Sequence, residues 1–552
     1  MQKQSTQIIF KHTLKKFLPP GHPKLLICIQ LILGMIIFLP ILVILLQLFQ
    51  PYSADFEHLV ATVLPEFIWN SVSLTVAVGS CSLIIGCVSA WVVTFCDFPG
   101  RNICRWALVL PLAFPSYVLS YLYTDWLQFV GPVQSFIRNI TGWKVGEYWF
   151  PPIRSWGGAV IILSLAFYPY VYLLARSTFL RQSSAALEVS RTLNIRAWRT
   201  FFFITLPMAR PALVAGTILV CMETVADFGA VSYFGIPTLT TGIYRAWTSL
   251  NDQTTASQLS GLLLMIIFIL LITEYFNRGQ QRFQTTEQRF QKPSQYQLTG
   301  SRKLLAIFGC FMPIILGFIL PIGLLIINVS QGLDDNDLSR LFPLIQHSFI
   351  LAAVAASLAL ILGLFLTVME RFYYNPLLKI INRLAYLGYA TPGIIIAVGL
   401  LTMLGKINNL TGQFLLTGSL LALIYCYQVR FLATSLLTLE SGFGKIPIHI
   451  DFAGRSLGHS PLKVFSKIHL HFLWPTLLSA WLIIFIDVMK ELAATYIIRP
   501  FNFETLAIST YRLIADERLV EASLPALTLV LIGIIPVIFL CRQIENKQHQ
   551  PS

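Results

Sequence analysis

The strongest constraint on this chain is a series of apolar runs, each long enough to cross a lipid bilayer. A spanning helix needs about 20 predominantly apolar residues, and the sequence contains roughly twelve such runs. Only 12% of the residues are charged, against about 25% in a soluble domain. The pattern predicts an all-α integral membrane protein and excludes a soluble enzyme, a nucleic-acid-binding protein and a disordered scaffold. The predicted runs are 25–49, 68–96, 104–124, 157–176, 211–230, 258–276, 303–328, 347–369, 384–404, 414–437, 476–497 and 522–541.

The net charge of +14 sets the orientation of these helices. The 39 Lys and Arg residues are concentrated in short segments between the apolar runs, as expected where basic loops stay in the cytoplasm. A cytoplasmic N-terminus places most of the basic residues inside and the acidic loops 51–67 and 329–346 outside. We therefore expect both termini in the cytoplasm. The first run is too long for a signal-peptide core, and we expect it to be a retained helix.

The two halves of the sequence match each other. Near the second run the offset between them is 277 residues, and further along it becomes 264. Six crossings per half predict two parallel repeats, related by a pseudo-two-fold axis along the membrane normal, with a pathway between them. The predicted division is residues 1–276, a polar linker at 277–302, and residues 303–552. Matched positions include Ser71 with Ser348, Gly86 with Gly363, Pro115 with Pro392, Arg191 with Arg455, and Pro211 with Pro475.

Each repeat also has one long loop predicted to be cytoplasmic, at 177–210 and 438–475. The pattern predicts a short amphipathic helix, a turn at Asn194 or Gly458, a second helix and a proline stop. Such a surface could cover the helix ends, but its occurrence at equivalent positions in both repeats favours docking of a partner protein.

These loops resemble the coupling loop of the permease subunits of ATP-binding cassette importers, which has the pattern Glu-Ala-Ala, three residues, Gly, and then a hydrophobic stretch to Leu-Pro. The resemblance covers nearly the whole chain and implies the type I importer permease fold, with one permease domain per half. It implies docking of a separate ATPase dimer, with ATP and Mg on that partner. Asn194 replaces the family Gly in the first loop, and Phe452 replaces the Glu in the second. The coupling residues implied are Glu188, Arg191, Asn194, Leu206, Pro207, Arg455, Gly458 and Leu470.

No phosphate-binding loop is found in this chain. Gly444-Lys445 is followed by Ile446 and lacks the upstream Gly of the pattern Gly-xxxx-Gly-Lys-[Ser/Thr]. The chain is therefore predicted to be a transport permease rather than an enzyme, with no cofactor of its own.

The fifth and eleventh runs contain carboxylates, which are costly within a membrane and therefore candidate functional groups. The fifth run contains Glu223 and Asp227, and the eleventh contains Asp487 and Glu491. The two carboxylates of each pair are spaced i, i+4, which places them on one face of a continuous helix. The offset of 264 aligns the two pairs, so four carboxylates could face a central pathway, with a lysine offsetting one charge. A structural ion pair is the alternative. The candidate pathway residues are Glu223, Asp227, Asp487, Lys490 and Glu491.

The sequence around these carboxylates resembles ferric-iron importer permeases. The matching segments are Glu223-Thr-Val-Ala-Asp-Phe-Gly229, Tyr233-Phe-Gly-Ile-Pro237, Tyr244-Arg-Ala-Trp247, Met489-Lys-Glu-Leu-Ala-Ala-Thr495, Arg499-Pro500-Phe501 and Thr505-Leu-Ala507. The resemblance implies a bacterial inner-membrane permease that receives Fe³⁺ from a periplasmic binding protein. No tight metal site is expected, only transient Fe³⁺ contact at Glu223 and Asp487. Thiamine and polyamine importers have related permeases, so these substrates stay open, as does an ion-coupled secondary transporter.

Cysteine and histidine provide no further metal site. The nine cysteines contain no CxxC pair, which argues against a zinc site or a disulfide framework. Four histidines in or beside the second long loop are predicted to be solvated or to lie at an interface. They are His449, His459, His469 and His471.

Overall fold

The computed structural model is almost entirely helical. It describes residues 23–144, 146–180, 192, 197–278, 295–332, 335–372, 376–412 and 417–549. The α-helices are Pro23–Gln47, Ala54–Thr62, Leu64–Phe95, Arg101–Ala107, Ser116–Leu127, Pro132–Thr141, Trp156–Phe179, Ala197–Thr200, Leu206–Ala226, Gly229–Tyr233, Leu239–Thr248, Gln253–Arg278, Gly300–Ile314, Leu320–Gly332, Asp335–Phe372, Pro376–Ala390, Gly393–Thr411, Leu420–Phe443, Ile448–Ser456, Pro461–Val464, Leu470–Lys490, Ala493–Ile498, Leu506–Ala515 and Leu519–His549. A 3₁₀ helix covers Leu110–Ala113, and π-helical segments cover Phe201–Thr205, Ile315–Ile319 and Phe465–His469.

Among the described residues, eleven helices are long and apolar enough to cross a membrane. A twelfth span is obtained if the segments Arg101–Ala113 and Ser116–Thr141, which meet at an angle of 93°, are counted together. The predicted number of about twelve crossings agrees with this result.

Two predicted runs are interrupted at equivalent prolines. The predicted helix at 104–124 breaks at Pro115, and the one at 384–404 breaks at Pro392. Neither run forms one continuous helix, because proline disfavours the helical conformation in the residue before it. Phe114 accordingly has an extended ψ of 130°. The two prolines share the offset of 277 residues, so the repeats break in the same way.

The predicted proline stops after the long loops were also wrong. Pro211 and Pro475 lie inside the helices Leu206–Ala226 and Leu470–Lys490. Prolines are tolerated within spanning helices, where neighbouring groups re-satisfy the backbone. A five-residue π-helical segment precedes each helix. The two π segments lie 264 residues apart, so this rare local geometry is repeated in both halves.

The described chain forms two compact units, and each combines residues from both sequence halves. The smaller unit contains the described parts of Met1–Leu42, Ala352–Tyr389 and Ile424–Val488. The larger unit contains those of Val43–Leu351, Ala390–Leu423 and Met489–Ser552. The division into residues 1–276, 277–302 and 303–552 stays a prediction.

Small residues let the helices approach closely in each unit. A Cβ atom at Gly86 would lie 2.8 Å from Cβ of Val171 in the larger unit. In the smaller unit, a Cβ atom at Gly363 would lie 2.3 Å from the Ser435 hydroxyl oxygen. These are the two matched glycines of the repeats. Close packing of this kind favours association of helices in lipid.

The end of the predicted linker is paired with the end of a spanning helix. Cys96–Asp97 and Tyr296–Gln297 form a short parallel ladder, with Cys96 opposite Tyr296. The Gln297 side-chain amide donates a hydrogen bond of 3.0 Å to Asp97. Residues 279–294 lie outside the described part of the chain.

Candidate functional site

Asp227 lies at a break in the chain rather than on a helical face. The helix Leu206–Ala226 ends immediately before it, and Asp227 has an extended ψ of 127°. Its Oδ1 accepts hydrogen bonds from the N–H groups of Ala230 at 2.8 Å and Val231 at 3.3 Å. Its Oδ2 accepts a hydrogen bond from the Ser116 hydroxyl. The carboxylate therefore caps the short helix Gly229–Tyr233, satisfying N–H groups that have no partner within that helix.

Glu491 does the same in the second repeat. The helix Leu470–Lys490 ends before it, and its Oε1 accepts a hydrogen bond of 3.1 Å from the N–H group of Ala494. The Thr495 hydroxyl donates a bond of 2.8 Å to the Glu491 carbonyl. The prediction that each pair of carboxylates lies on one continuous helical face was wrong, because both helices end before the second member.

The other charged pathway candidates lie before the breaks. Glu223 and Asp487 are within their helices and half-buried. Lys490 closes its helix, and its Nζ donates a hydrogen bond of 2.5 Å to the Leu112 carbonyl. The roles of these residues in cargo transport stay predictions.

After each break the chain forms a second, ten-residue helix anchored by a serine. The helices are Leu239–Thr248 and Leu506–Ala515. The Leu239 N–H donates to the Ser71 hydroxyl oxygen at 2.9 Å. The Leu506 N–H donates to Ser348 at 2.8 Å. Ser71 and Ser348 were matched as repeat positions, and the structure assigns both the same anchoring contact.

Five aromatic rings fill the space between these broken segments, and we call them the aromatic cluster. The Tyr511 ring lies 5.7 Å from both Phe228 and Tyr496, and 6.0 Å from Tyr117. The Tyr244 ring lies 4.7 Å from Phe228 and 5.7 Å from Tyr496. Edge and tilted contacts of this kind favour a well-packed arrangement. All five residues belong to the larger unit.

The sequence interpretation missed the aromatic cluster, although one signal for it was present. Tyr244 and Tyr511 occupy matching positions in the two ten-residue helices, 267 residues apart. The Tyr511 hydroxyl donates to Ser232 at 3.2 Å, and the Tyr117 hydroxyl donates to the Ala507 carbonyl at 3.4 Å. The cluster thus joins segments of both repeats.

Comparison with known proteins agrees with this arrangement. Residues 82–283 match the family described as the inner membrane component of binding-protein-dependent transport systems. Along 95% of its length the chain is 26% identical to the Fe(3+)-transport system permease protein FbpB 2 of Haemophilus influenzae, covering 99% of that relative. The chain is therefore similar to permeases of the binding-protein-dependent type, and we refer to it as the permease.

Other relatives of this permease differ in length. It is 25% identical to the ferric transport system permease protein FbpB of Actinobacillus pleuropneumoniae over 77% of the chain, and it covers 63% of that protein. It is 29% identical to the molybdenum transport system permease protein ModB of Escherichia coli over 38% of the chain, which covers 93% of ModB. The permease is thus a multi-pass inner-membrane protein with the type I importer fold.

The second long loop of the permease has the predicted turn. Gly458 has a φ of 75°, in the left-handed region that glycine adopts readily, and it follows the helix Ile448–Ser456. Leu206 and Leu470 each begin a long helix directly after a π segment, and Pro207 occupies the first turn of its helix. Glu188, Arg191, Asn194 and the side chain of Arg455 lie outside the described residues. The coupling roles stay predictions.

His469 corrects the interpretation of the loop histidines. Its side chain is fully buried, and its Nε2 lies 2.6 Å from Oδ1 of Asp451. The other oxygen of Asp451 accepts a hydrogen bond of 2.9 Å from Arg371 Nε. Burial by itself would raise the pKa of Asp451, but the hydrogen bonds from His469 and Arg371 outweigh it and lower that pKa. The prediction of a solvated or interface histidine was therefore wrong for His469.

Proposed function

We propose that this permease moves ferric iron from the periplasm to the cytoplasm as the membrane component of an ATP-driven importer. The observation that carries the proposal is similarity along 95% of the chain to a permease named for Fe(3+) transport. The length of the two proteins also agrees, since the match covers 99% of that relative.

The charges near the helix breaks support a cationic cargo. Four carboxylates lie at or just before the breaks, and the nearby Lys490 amine donates to a backbone carbonyl. Hard cations such as Fe³⁺ prefer oxygen ligands. We propose transient contact at Glu223 and Asp487, because a transport path must also release its cargo.

Other cargoes are less well supported. A relative named for sulfate transport is named for an anion, which carboxylates along a path would repel. Thiamine and polyamines are cations, so the carboxylates do not distinguish them from iron, and an uptake experiment must do so. An ion-coupled secondary transporter has no use for the long loop found at equivalent positions in both repeats.

The aromatic cluster is the proposed closed gate. The helix Leu206–Ala226 has 21 residues, or about 32 Å at 1.5 Å per residue. It connects the first long loop to the break at Asp227 and the ring of Phe228. The helix Leu470–Lys490 makes the same connection to Glu491 in the second repeat. Movement of the loops would therefore shift the capped segments and separate the rings.

The partners follow from this scheme. A cytoplasmic ABC ATPase dimer docks on the two long loops and holds the ATP and Mg, while this chain needs no cofactor. A periplasmic substrate-binding protein delivers the iron. Both termini lie in the cytoplasm, and the repeats are residues 1–276 and 303–552, joined by a linker at 277–302. No nucleic acid is involved.

Uptake of ⁵⁵Fe tests the proposal. The permease is expressed with its candidate ATPase and binding protein in a bacterium that lacks other ferric importers. Glu223→Gln and Asp487→Asn should each reduce uptake, whereas Glu57→Gln, on an exposed side chain, should not. Thiamine uptake without iron uptake would refute the cargo. Uptake that survives inactivation of the ATPase phosphate-binding loop but fails with a protonophore would indicate secondary transport.

A further inference from the structure

The second long loop is fixed to the smaller unit by a buried network of three side chains, which we call the clamp: Arg371, Asp451 and His469. Asp451 lies in the loop helix Ile448–Ser456, and its side chain is 7% exposed. One of its oxygens accepts the bond from Arg371, and the other faces His469. Arg371 and His469 thus contact the two oxygens of the buried Asp451 carboxylate.

Arg371 connects this loop helix to two spanning helices. It lies at the end of the helix Asp335–Phe372. Besides Asp451, it donates bonds of 2.7 Å to the Phe443 carbonyl and 3.0 Å to the Ile446 carbonyl. Phe443 ends the helix Leu420–Phe443. The guanidinium therefore satisfies backbone carbonyls at one helix end while it pairs with Asp451.

His469 adds a third spanning helix. It is the last residue of the π segment that leads into Leu470–Lys490. Its ring stacks on Phe372 at 5.6 Å with an interplanar angle of 16°, and Phe443 packs edge-on at 5.7 Å. A side chain enclosed in this way has little freedom to change its rotamer. Displacement of the loop helix would thus be transmitted to three spanning helices through fixed contacts.

Close backbone packing stiffens the same loop. A Cβ atom at Gly454 would lie 2.6 Å from a methyl carbon of Val464, so the helix Ile448–Ser456 packs tightly on the segment that follows Gly458. Beneath it lies an apolar cluster in which Phe465 packs against buried residues. Those buried residues are Leu439, Phe443, Ile446, Leu473 and Leu477.

The first repeat lacks the residues of the clamp. The positions that match Arg371, Asp451 and His469 at the offsets of 277 and 264 are Thr94, Leu187 and Thr205. None of the three can carry a charge. The Thr94 hydroxyl donates within its own helix, to the Ala90 carbonyl at 2.6 Å. The same charged network therefore cannot form at these matched positions of the first repeat, where residues 181–191 and 193–196 lie outside the described part of the chain.

We propose that Arg371, Asp451 and His469 are positioning residues that couple the second long loop rigidly to the spanning helices. Movement of the second loop, driven by the ATPase, is then transmitted directly to these spanning helices. This inference rests on the proposed function, because it assumes that the two loops dock the ATPase. It adds a specific difference between the loops and names the side chains responsible.

The test measures ⁵⁵Fe transported per ATP hydrolysed. The permease, its ATPase and the iron-loaded binding protein are reconstituted in liposomes. Asp451→Asn and Arg371→Gln should each lower this ratio by about fivefold, within the range for residues along a coupling network, while ATP hydrolysis continues. The double variant should be no worse than either single one, since both changes break one network. Asp451→Glu, which keeps the charge, should recover part of the ratio.

Matched controls separate the clamp from a general structural effect. Thr94→Val alters the position equivalent to Arg371, and Lys467→Gln removes an exposed charge from the π segment beside His469. Both should keep the wild-type ratio. If Asp451→Asn does not accumulate in the membrane, Arg371→Gln and His469→Ala take its place, and a full ratio in both would refute the clamp.

The remaining outcomes are also decisive. A wild-type ratio in Asp451→Asn, or an equal loss in the two controls, would overturn the inference. Failure of the wild-type complex to transport iron with ATP would instead contradict the proposed function, so the two failures are distinguishable.

Discussion

Replacement of Tyr511 by alanine should open the aromatic cluster. The Tyr511 ring contacts Tyr117, Phe228 and Tyr496 at centroid distances between 5.7 and 6.0 Å. Each aromatic pair contributes about 0.5–1.5 kcal/mol beyond its buried area, so three pairs sum to about 1.5–4.5 kcal/mol. If these contacts exist only in the closed state, their loss raises the ratio of open to closed permease by about 10- to 1,000-fold, at roughly 1.4 kcal/mol per tenfold.

The assay is passive efflux of a small cation from liposomes that contain the permease without ATP. Tyr511→Ala should increase efflux at least about tenfold. Tyr511→Phe keeps the three ring contacts and loses only the 3.2 Å hydrogen bond to Ser232, so its efflux should stay near the wild-type rate. Tyr275→Ala controls for the loss of an aromatic ring, since Tyr275 is 75% exposed. Wild-type efflux in a correctly folded Tyr511→Ala variant would refute the gate.

Three further predictions concern stability, measured as thermal unfolding in detergent. Gly388→Ala would place a Cβ atom 1.9 Å from the Val429 carbonyl oxygen, and should cost about 1–3 kcal/mol. A Cβ atom at Gly323 would have no neighbouring atom within 4 Å, so Gly323→Ala should not destabilise the protein. Equal unfolding temperatures of the two variants would contradict this steric explanation. Asp227→Ala removes the cap of a short helix and should cost about 0.5–2 kcal/mol; an unchanged midpoint would show that the cap is dispensable. Contacts with His469 and Arg371 lower the pKa of Asp451 in the folded state. The contribution of the ionised Asp451 to the stability of the protein is therefore fully present above the unfolded pKa of about 3.9, and it is lost as the pH falls through the lower pKa of the folded state. Asp451→Asn should therefore lose less stability than the wild type between about pH 5 and pH 3. If the unfolding temperatures of the two proteins fell in parallel over this pH range, ionised Asp451 would not stabilise the fold.

Much of the architecture could be predicted because the constraints are local. A spanning helix needs a long apolar run in one stretch of sequence, and the two repeats align residue by residue. The shared positions Ser71 and Ser348 were found in this way, and the structure gives them equivalent hydrogen bonds. Gly86 and Gly363 likewise both lie at close helix contacts.

Local patterns failed where a helix ends for tertiary reasons. Neither Asp227 nor Glu491 follows a proline or a glycine, so the i, i+4 spacing suggested one continuous helix. The helices end because each carboxylate turns to cap the next segment. Pro211 and Pro475 show the opposite case, since helices continue through both.

The sequence by itself therefore determined the membrane class, the number of crossings and the duplication, because hydrophobic length and repeated spacing are properties of contiguous residues. Only the tertiary structure decided which groups meet. The five rings of the aromatic cluster come from segments up to several hundred residues apart, and His469 contacts Asp451 and Phe372 rather than water. Burial of a polar group depends on such distant partners, which is why spacing along the chain did not reveal them.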